Sequence, residues 1–103
     1  MASRKLDISH HDRRLARRLE QDPDFRVEFE RQRREIAQID SVVRELDELR
    51  ERAGLSKAEL ARAIGKTPSS IRRFFTASVN PELKTVAAVA DALGAEVRVV
   101  SGA

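Results

Sequence analysis

The stretch Leu55-Ser-Lys-Ala-Glu-Leu-Ala-Arg-Ala-Ile-Gly65, continued by Lys66-Thr-Pro-Ser-Ser-Ile-Arg-Arg-Phe-Phe-Thr76, decides the fold. Ser56 is an N-cap with Glu59 three residues on, an arrangement in which each side chain takes the other's backbone N–H. Leu60, Ala61 and Ile64 make the inner face of a helix of about two turns. Gly65 ends it, because the turn needs a residue that tolerates positive φ. Thr67 caps a second helix and Pro68 fills its first position, where a missing N–H loses nothing. Ile71, Phe74 and Phe75 form its apolar side. Ala61, four residues before Gly65, is small enough for two helices to cross steeply. Left on the outside of the second helix are Thr67, Ser69, Ser70, Arg72 and Arg73: hydrogen-bonding groups and cations, with no acid among them.

Outward from this stretch, helical periodicity dominates. Asp22-Pro23-Asp24 starts a helix, with Asp22 as cap and Asp24 at the positive end of the dipole. Phe25 and Phe29 lie on one face, and Ile36, Ile39, Val43, Leu46, Leu49 and Ala53 follow at helical spacing until Gly54. One long helix and two helices broken near residues 33–40, where Gln38 and Asp40 interrupt the pattern, both fit. Further upstream, Ser9 with Asp12 reads as a cap for a short helix to Gln21. It carries Leu15 and Leu19 and an Arg-rich face, and residues 1–8 read as a loose tail. Downstream, Val79-Asn80-Pro81 is a turn opening a last helix with a stripe of Leu83, Val86, Ala87, Ala90 and Leu93, closed by Gly94. Glu96-Val-Arg-Val-Val100 alternates and is β-branched, so it reads as one short strand in need of a mate. The expected divisions are 1–39 for the tail and helical extension, 40–94 for the helical core, and 95–103 for a terminal strand and tail.

Composition agrees with a helical chain and narrows its chemistry. At 103 residues there is room for one modest core. Charged residues make up 36% and aromatics 4%, all of them Phe, which argues against an all-β sandwich. Cysteine is absent, so disulfides and thiolate metal sites are excluded. No apolar run approaches the ~18 residues of a membrane span, and the N-terminal stretch lacks the apolar centre of a signal peptide. A cytoplasmic protein without a membrane partner is expected. Net charge is +3, but residues 54–80 hold Lys57, Arg62, Lys66, Arg72 and Arg73 against Glu59 alone, whereas residues 23–53 sum to −2. The positive charge is concentrated where the paired helices lie, which points to an anionic partner. His10 and His11 are adjacent, so they point apart on a helix, and no acid set converges with them. No nucleophile–base arrangement, Gly-rich phosphate loop or carboxylate pair stands out. A non-enzyme without metal, cofactor or small-molecule substrate is expected.

Leu55–Gly65, Pro68–Phe74, Asn80-Pro-Glu-Leu83 and Val89-Ala-Asp-Ala-Leu-Gly94 together resemble the lambda-repressor-like (XRE) helix-turn-helix family over about residues 40–94. The resemblance implies a mainly α helix-turn-helix bundle, here with an N-terminal helical extension and a C-terminal β-strand. It implies sequence-specific binding of a double-stranded DNA operator by a repressor. Arg72 and Arg73 face outward from the second helix, and Thr67 and Ser69 lie toward its N-terminus, where base edges are met. These four are the expected base contacts. Lys57 and Lys66 stand at helix starts, where a cation opposes the dipole unless a phosphate is near. With Asn80, whose phosphate contact is implied by the family, they are the expected backbone contacts. The chain departs from the family at Lys57 and Pro68, where Gln is frequent, at Phe75 in place of Glu, and at Ala77 in place of Gly.

A narrower likeness lies upstream. Asp22-Pro-Asp-Phe-Arg-Val-Glu-Phe-Glu30 is similar to HigA-type antitoxins, which implies a small basic RNA-cleaving toxin as partner and repression of the chain's own operon. Leu15, Leu19, Phe25 and Phe29, with Glu28 among the flanking acids, would face that toxin. The competing reading packs both Phe residues on the helix-turn-helix core. The alternative function is a stand-alone XRE-type regulator without a toxin. A homodimer on a two-fold operator is expected, joined by the strand Glu96–Val100 or by the N-terminal helices.

Overall fold

The computed structural model of the chain describes residues 2–77 and 80–102. It contains α1 (Ala2–Gln21), α2 (Pro23–Arg52), α3 (Lys57–Ala63), α4 (Pro68–Thr76) and α5 (Leu83–Ala92). Two compact units are present, Met1–Ile36 and Ala37–Ala103.

In the first unit, α1 and α2 are separated by Asp22 alone. Asp22 accepts the Phe25 backbone N–H on Oδ1 at 3.0 Å, as a cap should. Its own N–H still donates to the Arg18 carbonyl at 3.0 Å, so helical bonding continues up to Pro23. α1 begins at Ala2, not at Ser9: the run from Ala2 to Ile8 holds no Gly or Pro, and Ser9 lies inside the helix. Met1 lies outside the described residues. α2 is one helix from Pro23 to Arg52. Gln38 and Asp40 are exposed, so neither interrupts it, and no Gly or Pro occurs between Asp24 and Ala53.

The core belongs to the second unit. Val43 and Leu46 of α2, Leu60 and Ala61 of α3, Ile71 and Phe74 of α4, and Val86, Val89 and Ala90 of α5 are buried together. Ile39, Leu49, Ile64, Phe75, Leu93 and Ala95 pack around them. Leu60, Ile71 and Val89 are fully enclosed. The stripe expected on α5 needs correction. Val89 is buried, whereas Ala87 is exposed and Leu83 is 74% exposed. Buried Val86, Val89 and Ala90 with half-buried Leu93 make a helical stripe, and residues 83 and 87 lie on its flank.

Arg50 ties three parts of this unit together. Its Nε donates to Asp47 at 2.9 Å, its Nη1 donates to the Leu55 carbonyl at 2.7 Å, and its guanidinium lies 5.7 Å from the Phe75 ring centre.

The expected C-terminal β-strand is absent. Glu96–Val100 is irregular chain, and no strand occurs among the described residues. Val99 is wholly exposed, Val100 is exposed, and Arg98 pairs with Glu96 at 2.9 Å on the surface. Alternating Val residues supply propensity, but a ladder needs a second strand to satisfy the backbone, and a helical bundle offers none. The fold is therefore mainly helical throughout.

Candidate nucleic-acid interface

Local chemistry fixes both helices of the pair. At α3, Ser56 Oγ accepts the Glu59 backbone N–H and Glu59 Oε1 accepts that of Ser56, each at 3.0 Å. The Glu59 carboxyl is held below its ordinary value, chiefly by the Ser56 backbone N–H and next by the Ser56 hydroxyl. Gly65 adopts φ +70 between α3 and α4. There the Lys66 N–H donates to the Ala61 carbonyl at 2.8 Å and the Gly65 N–H to that of Arg62 at 3.3 Å, which closes the helix as a Schellman turn. At α4, Thr67 Oγ1 accepts the Ser70 N–H at 3.2 Å, and the Ser70 hydroxyl donates to the Thr67 carbonyl at 2.9 Å. Thr67 is thus the α4 cap; its hydroxyl lies 3.4 Å from that of Ser69.

With Ile71 and Phe74 turned into the core, α4 leaves Ser69, Arg72 and Arg73 exposed. An open cleft of about 310 Å³ runs along one side of the helix. Lys66, Arg73 and Asn80 all line it, so three residues expected from sequence to touch DNA meet in one place. Lys57, Thr67, Ser69 and Arg72 do not line it. Lys57 is half-buried at the start of α3, and the other three are exposed on or beside α4. Ser70 and Thr85 also line the cleft, as does the carboxylate of Glu82. Sequence reasoning passed over Thr85 and Glu82 because only the fold brings the start of α5 to this side of α4. Asn80 is exposed ahead of Pro81, but the cap of α5 is Glu82, which makes no side-chain cap bond. Val79, the first residue of the expected turn, lies outside the described residues.

Two cations, two hydroxyls and an amide on an open cleft beside an outward Arg pair suit an anionic, extended ligand. Arg and Lys supply phosphate contacts and a bidentate guanidinium supplies base readout. No group of three or more His, Cys, Asp or Glu residues is gathered for a metal among the described residues. No helix among them is long and apolar enough to cross a membrane.

The residues expected to face a toxin lie in the first unit. Leu15, Leu19, Phe25, Glu28 and Phe29 are all half-buried. The Phe25 and Phe29 rings are 6.0 Å apart, and the Arg18 guanidinium sits 4.0 Å from the Phe25 ring centre. Leu15, Arg18 and Phe25 help line a shallow concavity of about 340 Å³. Glu28 pairs with Arg31 and accepts from Gln32 at 3.2 Å. The Arg31 hydrogen bond is the main cause of its lowered carboxyl pKa.

A family model described as a helix-turn-helix domain matches residues 41–100. No curated protein and no solved structure matches the chain. With that match spanning more than half of the chain around the α3–α4 pair, the protein belongs to the helix-turn-helix family of the XRE/lambda-repressor type, a DNA-binding fold.

Proposed function

We propose that the protein is a sequence-specific transcriptional repressor that binds a double-stranded operator as a homodimer, with α4 in the major groove. One observation carries this reading: α4 exposes Ser69, Arg72 and Arg73 while Lys66, Arg73 and Asn80 gather in the cleft at its side. In this reading Thr67, Ser69, Arg72 and Arg73 meet base edges, and Lys57, Lys66 and Asn80 hold phosphates. Thr67 uses its hydroxyl oxygen as a cap and keeps its proton to donate. Repression follows from occupancy of the operator. The dimer is supported by an apolar groove on the second unit that includes Ile39, Val42, Leu83 and Val97. The test is selection of duplexes from a random pool by the purified chain. A two-fold sequence with half-sites about one helical turn apart is expected. A pool that emerges without sequence preference overturns the reading.

In its finer form we propose that the repressor is the antitoxin of a toxin–antitoxin pair, with the first unit facing a small basic RNA-cleaving toxin. The half-exposed stripe Leu15, Leu19, Phe25 and Phe29 supports this, because none of the four belongs to the buried core. Asp22, Asp24, Glu28 and Glu30 flank it with charge opposite to such a toxin. Deleting residues 1–35 should abolish neutralisation of a toxin encoded beside this chain and leave operator binding in place. Neutralisation by the truncated chain would remove the toxin from this unit.

A further inference from the structure

Among the described residues that line the cleft beside α4, Glu82 alone carries a charge that opposes DNA. The cleft gathers the cations Lys66 and Arg73, the amide of Asn80 and the hydroxyls of Ser70 and Thr85, and Glu82 adds a carboxylate to them. The fold does not account for this side chain. Glu82 is the N-cap of α5, yet it makes no side-chain cap bond. Asp, Asn, Ser or Thr at this position could reach the free N–H groups of the first turn, and Asp would also bring the same charge to the positive end of the dipole. Only the backbone of Glu82 serves the helix, its carbonyl accepting the Val86 N–H at 3.1 Å. Glu82 is exposed, and its carboxylate forms no ion pair or hydrogen bond among the described residues, although two cations line the same cleft.

We infer that Glu82 is an affinity-limiting residue: its carboxylate weakens the grip of the cleft on the phosphate backbone of any duplex and leaves sequence choice to α4. This rests on the DNA-binding reading above and deepens it. Lys66 and Asn80 hold phosphates in that reading, so a carboxylate in the same cleft acts in two ways. It repels the incoming phosphate, and it offers Lys66 and Arg73 a competing anion within the chain. Two like charges about 6 Å apart in water-like surroundings oppose each other enough to change affinity about threefold, and more where the protein excludes water. Thr67, Ser69 and Arg72, three of the four proposed base contacts, lie outside the cleft. The penalty therefore falls on the backbone contacts that every sequence shares, and not on discrimination between sequences.

The experiment measures the affinity of the full chain for its selected operator and for a random duplex of equal length, from low to high salt. Wild type is compared with Glu82→Gln, which removes the charge and keeps the shape, and with Glu82→Lys, which reverses the charge. A third variant, Glu45→Gln, removes a carboxylate from an exposed position of α2 outside the cleft. Glu82→Gln should bind both duplexes about threefold more tightly per subunit at low salt, roughly tenfold for a dimer. Glu82→Lys should go further in the same direction. The operator-to-random ratio should stay within about twofold, and the gain should fade as added salt screens the charge. Glu45→Gln should bind as the wild type does.

An unchanged or weaker affinity of Glu82→Gln on both duplexes overturns the inference. So does an equal gain in Glu45→Gln, which would make the effect one of net charge alone. A change confined to one duplex overturns it too; a loss on the operator alone would give Glu82 a base donor, such as the cytosine amino group. A wild type that binds no duplex overturns both readings; one that selects an operator while Glu82→Gln leaves its affinity unchanged overturns this one alone.

Discussion

Arg72 and Arg73 are neighbours in the chain with different surroundings. Arg73 shares the cleft with Lys66 and Asn80, while Arg72 stands outside it, its carbonyl accepting the Thr76 hydroxyl at 2.7 Å. A base-reading arginine discriminates by two hydrogen bonds to guanine, worth about 1–3 kcal/mol. Arg72→Ala should therefore weaken operator binding by about that amount, relax choice at one base pair and leave random DNA almost unaffected. Equal losses of affinity on operator and random duplexes would place Arg72 on the backbone instead. Glu59 acts on stability rather than recognition. Its carboxyl pKa is lowered in the folded chain, so its stabilising contribution is complete above the unfolded value of about 4.3. It is lost as pH falls through the lower folded value. The Tm of the wild type should fall more steeply between pH 5 and pH 3 than that of Glu59→Gln, which keeps an acceptor but does not titrate. Parallel melting curves would show that the cap does not contribute to the acid sensitivity.

Between elements, the turn at Gly65 governs how α3 meets α4. A Cβ built on Gly65 would touch nothing within 4 Å, so the obstacle to substitution is backbone conformation alone. Gly65→Ala should destabilise by about 1 kcal/mol, from the left-handed conformation that L-residues resist. A loss of several kcal/mol in chemical denaturation would mean a steric role that the geometry does not contain. This turn was legible in the sequence, as were the Ser56–Glu59 box, the Thr67 cap and the Asp22–Pro23 start. Each is a local signal, completed by residues within three or four positions. Glu96–Val100 was misread because a strand is completed by a partner elsewhere, which propensity cannot supply. Ser9 was misread as a cap because the same hydroxyl is tolerated inside a helix that carries no stop signal before it. On α5 the periodicity was right, but Val89 and Leu83 are equally apolar. Only the position of the other helices decides which one is covered. The same limit applies to Arg50, whose hold on Leu55 and Phe75 is set by tertiary placement. The cleft was legible in part: Lys66, Arg73 and Asn80 came from charge, spacing and family likeness, whereas Glu82 and Thr85 needed the fold.

A two-fold operator requires the proposed repressor to present a self-complementary surface, and the second unit offers one. Its groove is almost wholly apolar, about 180 Å³, and it is lined by Ile39, Val42, Val43, Pro81, Leu83, Val86 and Val97. Val42 is 38% exposed, Val97 48% and Leu83 74%, a grouping of apolar side chains that an isolated unit leaves in water. Glu96–Val100 forms no strand, so in the proposed repressor this groove, to which Val97 contributes, takes the place of strand pairing as the dimer surface. Leu83 is the informative position because so little of it is covered within one chain. Leu83→Asp should leave the monomer fold nearly unchanged, within about 0.5 kcal/mol as for other surface substitutions. In a dimer it would set two carboxylates into an apolar seam, one from each subunit. Ultracentrifugation should then show a monomer. Operator affinity should fall steeply because each half-site is bound alone, while binding to a single half-site is retained. A Leu83→Asp protein that remains dimeric, with full operator affinity, would release this groove from the interface and return the two-fold contact to the helices of the first unit.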